Sequence, residues 1–470
     1  MGGIGEGMAS GSRTFGWLVG AMCGLAFACA ASPSLAADPF EPKSIRWEED
    51  YSWLKTPETA PVGLERLKFI PLTADRDAWL TLGGEVRQRM DTIDHGQLGL
   101  GAASEYPTAQ TRLYLHADAH LGRVVRVFGQ LSYADEGGRR PLDRAFDESA
   151  PDVQQLFVDL TPTPALRLRL GRQELPLGDQ RLSEVRETYD LRRSFDGVRV
   201  DLTVGRSTLT AFRAGLVANG PDAFDDRRQP GEIFQGVYLA RPIERTVGGL
   251  DLFWLERERT RSVYTDGVGP ERRETFGARL HGAPGAWDYN LYLVGQTGRF
   301  GAAPIRAWAA SLDAGWTAKD RLWTPRLGLR VDVASGDARK GDGRMGSFDA
   351  PYPNTSYLST SSAYWPGNAW SVFPLVSFHP RETVGFSVGG QVMGRMSGQD
   401  GFYYSAQNPV ALVPGQSGVM MKQIYLRARW QPTRNWTLSG TVIRQMAGET
   451  VRAVGGRDST IVSVAAGWKF

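Results

Sequence analysis

Beyond residue 37 the chain has no cysteine, because Cys23 and Cys29 both lie near the N-terminus. Without thiols the remainder can form neither a disulfide nor a thiolate metal centre, which removes two classes of chemistry. Histidine is scarce as well, with five residues in 470. Three polar residues, His116, Asp118 and His120, share one parity of an extended stretch. On a strand the two imidazoles are roughly 13 Å apart, too far to share an ion. No catalytic residue, metal site or cofactor is expected, since a hydrolase needs a general base beside a nucleophile or water. Glycines such as Gly341 and Gly343 follow no strand-to-helix phosphate cradle and read as loop residues. Also missing after the N-terminus is any apolar run near the 18 or so residues of a helical membrane span. The net charge of +3 identifies no partner, and no nucleic acid is expected.

The N-terminus itself is different. A polar stretch ends at Arg13, the apolar run Phe15 to Ala31 follows, and Ser34-Leu35-Ala36 supplies small residues at the −3 and −1 positions of a secretory cleavage site. Residues 1–36 therefore read as a signal peptide, 37–77 as a plug-like periplasmic segment, and 78–470 as one repetitive architecture with no linker inside it.

From Trp79 onward, stretches of about ten residues alternate with period two and end in turns. Leu113, Leu115, Ala117, Ala119 and Leu121 take one parity; Arg112, Tyr114, His116, Asp118 and His120 take the other. The pattern recurs around Val198 to Leu202, Leu327 to Val333 and Ile424 to Trp430. A soluble sandwich alternates too, so the connections decide. Tight ones (Gly122-Arg123, 162–165, Gly205-Arg206, 283–285, 379–382, 432–435) take turns with long polar ones (92–108, 136–151, 173–195, 218–231, 260–272, 335–368, 398–420). Short periplasmic turns and long outer loops are the habit of an all-β transmembrane antiparallel barrel of outer-membrane type, here with about 18 strands. The ending agrees: Val462, Val464, Ala466, Trp468 and Phe470 share a parity and finish on an aromatic carboxylate.

Arginines mark the polar parity of several strands: Arg87, Arg89, Arg112, Arg126, Arg199, Arg330, Arg427 and Arg429, interspersed with Glu85, Asp118, Asp201 and Asp332. Any wet lumen holds charges of both signs. The functional reading is an arginine ladder whose guanidinium forks pair with successive carboxylates of a passing polyanion. Tyr114, Phe128 and Tyr425 share that parity and either line a path for sugar rings or fill space.

Several motifs carry a resemblance. Glu48-Glu49-Asp50-Tyr51-Ser52-Trp53-Leu54, Leu67 to Leu72 and Trp79 to Arg89 resemble the opening of the alginate export porins. Gly171-Arg172-Gln173-Glu174-Leu175, Gly178-Asp179-Gln180-Arg181-Leu182 and Phe195-Asp196-Gly197-Val198-Arg199 are similar to that family's central signature, and Ser335-Gly336-Asp337 with Phe348 and Tyr357 to a later one. The resemblance runs from about residue 46 to the C-terminus. It implies an eighteen-stranded outer-membrane barrel with an electropositive channel for an anionic polysaccharide, and it adds Arg172 to Arg87 and Arg199 as lumen arginines. The chain departs from the alginate exporter in one place: the connection before its penultimate strand, 432–435, is too short to plug a pore from below. The charged loop 136–151 is then the expected outer lid. The expected function is a passive channel for an anionic polysaccharide or oligosaccharide; the alternatives are a small-solute uptake porin, and an outer-membrane enzyme or display barrel. Expected partners are the polymer, outer-membrane lipid and lipopolysaccharide, the assembly machinery that reads the strand ending in Phe470, and periplasmic polymer-handling proteins.

Overall fold

A computed structural model describes residues 40–56, 60–100, 106–138, 146–243, 248–355, 364–403, 409–410 and 418–470. Eighteen long strands carry the fold: β1 (Ala78–Asp94), β2 (Tyr106–Leu121), β3 (Val125–Gly137), β4 (Ser149–Thr163), β5 (Leu166–Gln173), β6 (Phe195–Val204), β7 (Ser207–Ala218), β8 (Glu232–Pro242) and β9 (Gly249–Tyr264), then β10 (Gly267–Gly282), β11 (Trp287–Phe300), β12 (Ala303–Thr317), β13 (Arg326–Ala334), β14 (Ala369–Arg381), β15 (Val384–Gly394), β16 (Val419–Thr433), β17 (Trp436–Ala447) and β18 (Ser459–Lys469). Each pairs antiparallel with the next. Strand β18 returns to β1, from Glu85 opposite Lys469 to Asp94 opposite Thr460, so the sheet closes on itself. Closure satisfies every strand without leaving an edge, the only way alternating strands can sit in hydrocarbon.

The alternation sorts as its polarity dictates. On β2, Leu115 is 60% exposed on the outer face, whereas Arg112 and Tyr114 are 1% exposed within. Residues 260–272, expected as a long loop, are instead hairpin: β9 and β10 join through Thr265-Asp266 alone and stay paired up to Tyr264 opposite Gly267. The ladder continues beyond the apolar band, where both faces turn polar. Arg273 pairs with Glu271 inside at 2.6 Å, and Arg272 with Glu256 on the outer side at 2.8 Å.

The interior is not empty. The β5–β6 connection (174–194) and the described residues of the β13–β14 connection (335–355 and 364–368) turn inward and meet. Glu184 N donates to Tyr352 O at 3.0 Å, and Tyr352 N to Leu182 O at 3.0 Å. Their apolar side chains, among them Leu175, Leu182 and Tyr352, pack on the inward Phe195, Phe212 and Phe234 of β6–β8. At the short-turn end, residues 42–56 also contact the interior. Trp47 meets Phe157 edge-on at 6.5 Å and lies under the Arg169 guanidinium at 4.0 Å, while Arg46 donates to the Phe470 carbonyl. Of the expected lid 136–151, residues 139–145 lie outside the described residues, as does Tyr357. Phe146 and Asp147 dock on the inward connection, where Leu191 N donates to Phe146 O at 2.9 Å.

Candidate functional site

The polar interior is built from strand parity first. Glu85, Arg87, Arg89 and Asp91 follow one another on the inner face of β1, with Val86 and Met90 turned outward. Arg112 on β2 reaches Glu85 across the ladder, Nε to Oε1 at 3.0 Å. Both are buried, and guanidiniums withdrawn from water need full pairing. The inward β5–β6 connection supplies much of it. Arg87 donates to Glu187 O at 2.8 Å, Tyr189 O at 2.7 Å and Asp190 Oδ1 at 2.7 Å. Arg89 clasps Asp91 and donates to Thr188 O at 2.7 Å. Arg112 reaches Glu187 Oε1 at 2.8 Å. Burial alone would raise the Glu187 carboxyl, but Arg112 and Arg192 hold it well below the usual carboxylate range.

Further round, Arg126 forms two bonds to Asp118, at 2.7 and 2.8 Å, and a third to Trp47 O. Arg199 pairs with Asp201 at 2.9 Å, and Arg330 with Asp313 at 2.9 Å; Asp332 receives Arg181 from the inward connection. His116 stacks on Phe128, and His120 on Trp79 with ring centroids 4.2 Å apart. Tyr114 and Phe128 lie fully beneath the inward segments, so they fill space and do not face a path.

Two placements differ from the rest. Arg172 is not an inward residue. It pairs in register with Leu156, which is 53% exposed on the outer face, and with Asp196, to which its Nε donates at 2.9 Å. Period two from Leu170 fixes this orientation, whatever the motif around it. Arg427 and Arg429 are inward, sharing parity with the buried Gln423 and Tyr425, yet both are exposed and neither forms an ion pair among the described residues. Their neighbours across the ladders are Ser387 and Gly385 on β15 and Thr441 and Ser439 on β17. Small residues continue onto β18 with Ser463, Ala465 and Gly467. This sector of wall is lined mostly by small residues across the ladders, with Tyr425 beside Arg427.

A family model described as alginate export matches residues 78–465. The chain belongs to the alginate export family. The family match together with the closed barrel supports an outer-membrane channel; in such barrels short turns face the periplasm and long connections the outside. Among solved structures, the fold is similar to OccK5 (OpdH) of Pseudomonas aeruginosa, with 10% identity, TM-score 0.54, covering 83% of this chain and 98% of that one. It is also similar to OccAB4 of Acinetobacter baumannii, with 9% identity, TM-score 0.57, 83% and 97% covered. A third likeness is OpdK of Pseudomonas aeruginosa, solved with vanillate, with 12% identity, TM-score 0.56, 86% and 99% covered. No curated protein matches the chain in sequence.

For this alginate export barrel, the central signature Gly178 to Leu182 proves to be the inward connection itself. Gly178 takes φ +58°, and a Cβ there would sit 2.2 Å from the Tyr238 hydroxyl. The neighbouring Asp179 accepts from Tyr292 and Asn290, and Arg181 seats on Asp332. Sequence reasoning missed Glu187, Asp190 and Asp313 as partners of the lumen arginines. The available signal was the density of both signs of charge between Asp179 and Arg193, unusual for a free surface loop.

Proposed function

We propose that the barrel passes an acidic polysaccharide or oligosaccharide of alginate type along the β14–β18 wall, with no covalent chemistry. The observation that carries this reading is the pair Arg427 and Arg429, inward, exposed and without carboxylate partners among the described residues, facing mostly small residues across their ladders. A polyanion needs cations not already neutralised, and Arg87, Arg112, Arg126 and Arg199 are committed to acids of the fold. Free guanidiniums offer successive carboxylates a bidentate fork, and two sites in series allow hand-over. Residues 42–56 act in this reading as the inner cover that 432–435 is too short to provide. Planar-bilayer recordings test it: Arg427→Gln with Arg429→Gln should move the reversal potential in a salt gradient toward cations and weaken block by mannuronate oligomers. Unchanged selectivity and block in the double variant would remove the β16 arginines from the path.

A second reading, uptake of a small carboxylate, is favoured by the two inward connections, which narrow the lumen, and by the vanillate bound in the similarly folded OpdK. Block by monocarboxylates but not by oligomers would select it.

A further inference from the structure

A hollow of about 960 Å³ opens on the outer face of the wall, across β8–β12. Val237, Leu252, Trp254, Phe276, Leu293 and Trp308 border it. Between them the same face carries Ala278, Gly295 and Ala310, which stand opposite Leu252, Phe276 and Leu293 in the ladders. The depth comes from these small side chains: the Phe276 ring leans over Gly295, where a Cβ would come within 2.7 Å of it. Any barrel shows lipid an apolar face, so the hollow alone specifies no occupant.

The charges at its outer end do. Arg306 lies two residues above Trp308 on the same face of β12, about 7 Å nearer the outside. Arg299 of β11 is its diagonal neighbour, since Thr297 stands opposite Arg306. Arg299 also stands directly opposite Arg272 of β10. Side chains so placed have Cβ atoms about 4.5–5.5 Å apart, and like charges there repel. Arg272 is engaged by Glu256 at 2.8 Å and Glu258 at 3.6 Å. Glu274, next outward residue on β10, faces Thr297 and makes no ion pair with Arg299 or Arg306. Both arginines are exposed and form no ion pair among the described residues. We propose that the hollow and this pair together bind a phosphorylated acyl glycolipid of the outer leaflet, an acyl chain lying in the hollow and a phosphate between Arg299 and Arg306. Guanidinium forks match phosphate oxygens in pairs, and an anion between them relieves the repulsion across the ladder. A zwitterionic phospholipid would bring its ammonium group to the same arginines, which disfavours it.

Native mass spectrometry of the full barrel folded in detergent tests the site. The probes are diphosphoryl lipid A, its dephosphorylated form, and phosphatidylethanolamine. Heat-modifiable migration confirms folding of each variant. The Arg299→Gln, Arg306→Gln double variant removes both forks, and Ala310→Phe fills the hollow at a position where an aromatic faces lipid. Each should weaken retention of diphosphoryl lipid A roughly tenfold, and the two control lipids should bind wild-type barrel at least roughly tenfold more weakly. Equal affinity for the three lipids, wild-type affinity in either variant, or a dimer that Ala310→Phe disrupts in place of a lipid adduct would overturn the site. Because these arginines lie outside the lumen, the double variant should also keep the wild-type reversal potential in a salt gradient; a shift would place them on the conducting path and overturn the assignment.

Discussion

At the scale of single residues, inward arginines fall into two physical classes. Those on β1–β6 are structural: Arg112 sits 1% exposed between Glu85 and Glu187. Removing one partner of a buried pair strands the other charge, at a cost of about 3–5 kcal/mol. Arg112→Ala is therefore expected to lower the urea midpoint of the folded barrel markedly, whereas Arg427→Gln, on an exposed side chain with no ion pair among the described residues, should change stability by no more than about 0.5 kcal/mol. Equal destabilisation by both, read from urea titration of the heat-modifiable band, would abolish the division. A glycine makes the same point from the opposite side. A Cβ at Gly389 would lie 2.5 Å from the Phe373 ring, and its absence lets that ring lean across β15 toward Tyr425, at 6.1 Å. The ring fills the space over Gly389 and packs with Tyr425, two residues from Arg427.

At the scale of elements, the inward β5–β6 connection does the narrowing. Its hold is mostly polar on the β1–β2 side (Arg87, Arg89, Arg112) and apolar on the β6–β8 side, through Leu175, Leu177 and Leu182. Replacing residues 179–190 by a short Gly-Ser link should raise single-channel conductance severalfold, since the connection occupies lumen rather than outer surface; conductance at the wild-type level would mean that the open sector alone sets the current. A second device joins three outer elements. Asp400 accepts from Thr265 of the β9–β10 turn at 2.9 Å, from Ser347 at 2.6 Å and from the Asp337 amide at 3.0 Å. Asp266 lies beside this cluster, and its carboxyl is pushed up to about 6 by burial and then by Asp337 and Asp400. A carboxyl raised in the folded state favours the fold when protonated. Its contribution is full below the ordinary aspartate range and is lost as pH rises through about 6. The outer loops should thus resist limited proteolysis better at pH 5 than at pH 7.5, and Asp266→Asn should flatten that dependence. A pH response that survives the substitution would assign it to another group.

At the scale of the whole molecule, closure depends on the last strand. Beyond the β18–β1 ladder, Phe470 N donates to Gly84 O at 3.0 Å, Gly84 N returns to Phe470 O at 3.1 Å, and Arg46 holds the same carbonyl. Deleting Trp468 to Phe470 should remove the heat-modifiable band from the outer-membrane fraction, because β1 and β17 would then expose unpaired edges. Undiminished folded barrel in the truncated protein would show that closure needs only Ser459 to Gly467.

What the amino-acid order determined by itself was everything governed by period two. It fixed the eighteen strands, the inner and outer faces of Leu113 to Leu121, and the orientation of Arg427 and Arg429, because each side chain's face follows from its neighbours two residues away. The same rule, applied strictly, places Arg172 outward, where motif resemblance alone had suggested otherwise. What only the tertiary structure decided was which inward charges remain free. Arg87 and Arg427 are alike in sequence and parity. The first is consumed by Glu187, Tyr189 and Asp190, about a hundred residues away in the chain, and the second faces a serine and a threonine, Ser387 and Thr441, across its ladders. Pairing between a wall and a segment folded into it is a long-range contact, and no local pattern encodes which segment will turn inward. The polar run 260–272 differs for a related reason: the height at which a strand leaves the apolar band changes its composition without ending its ladder.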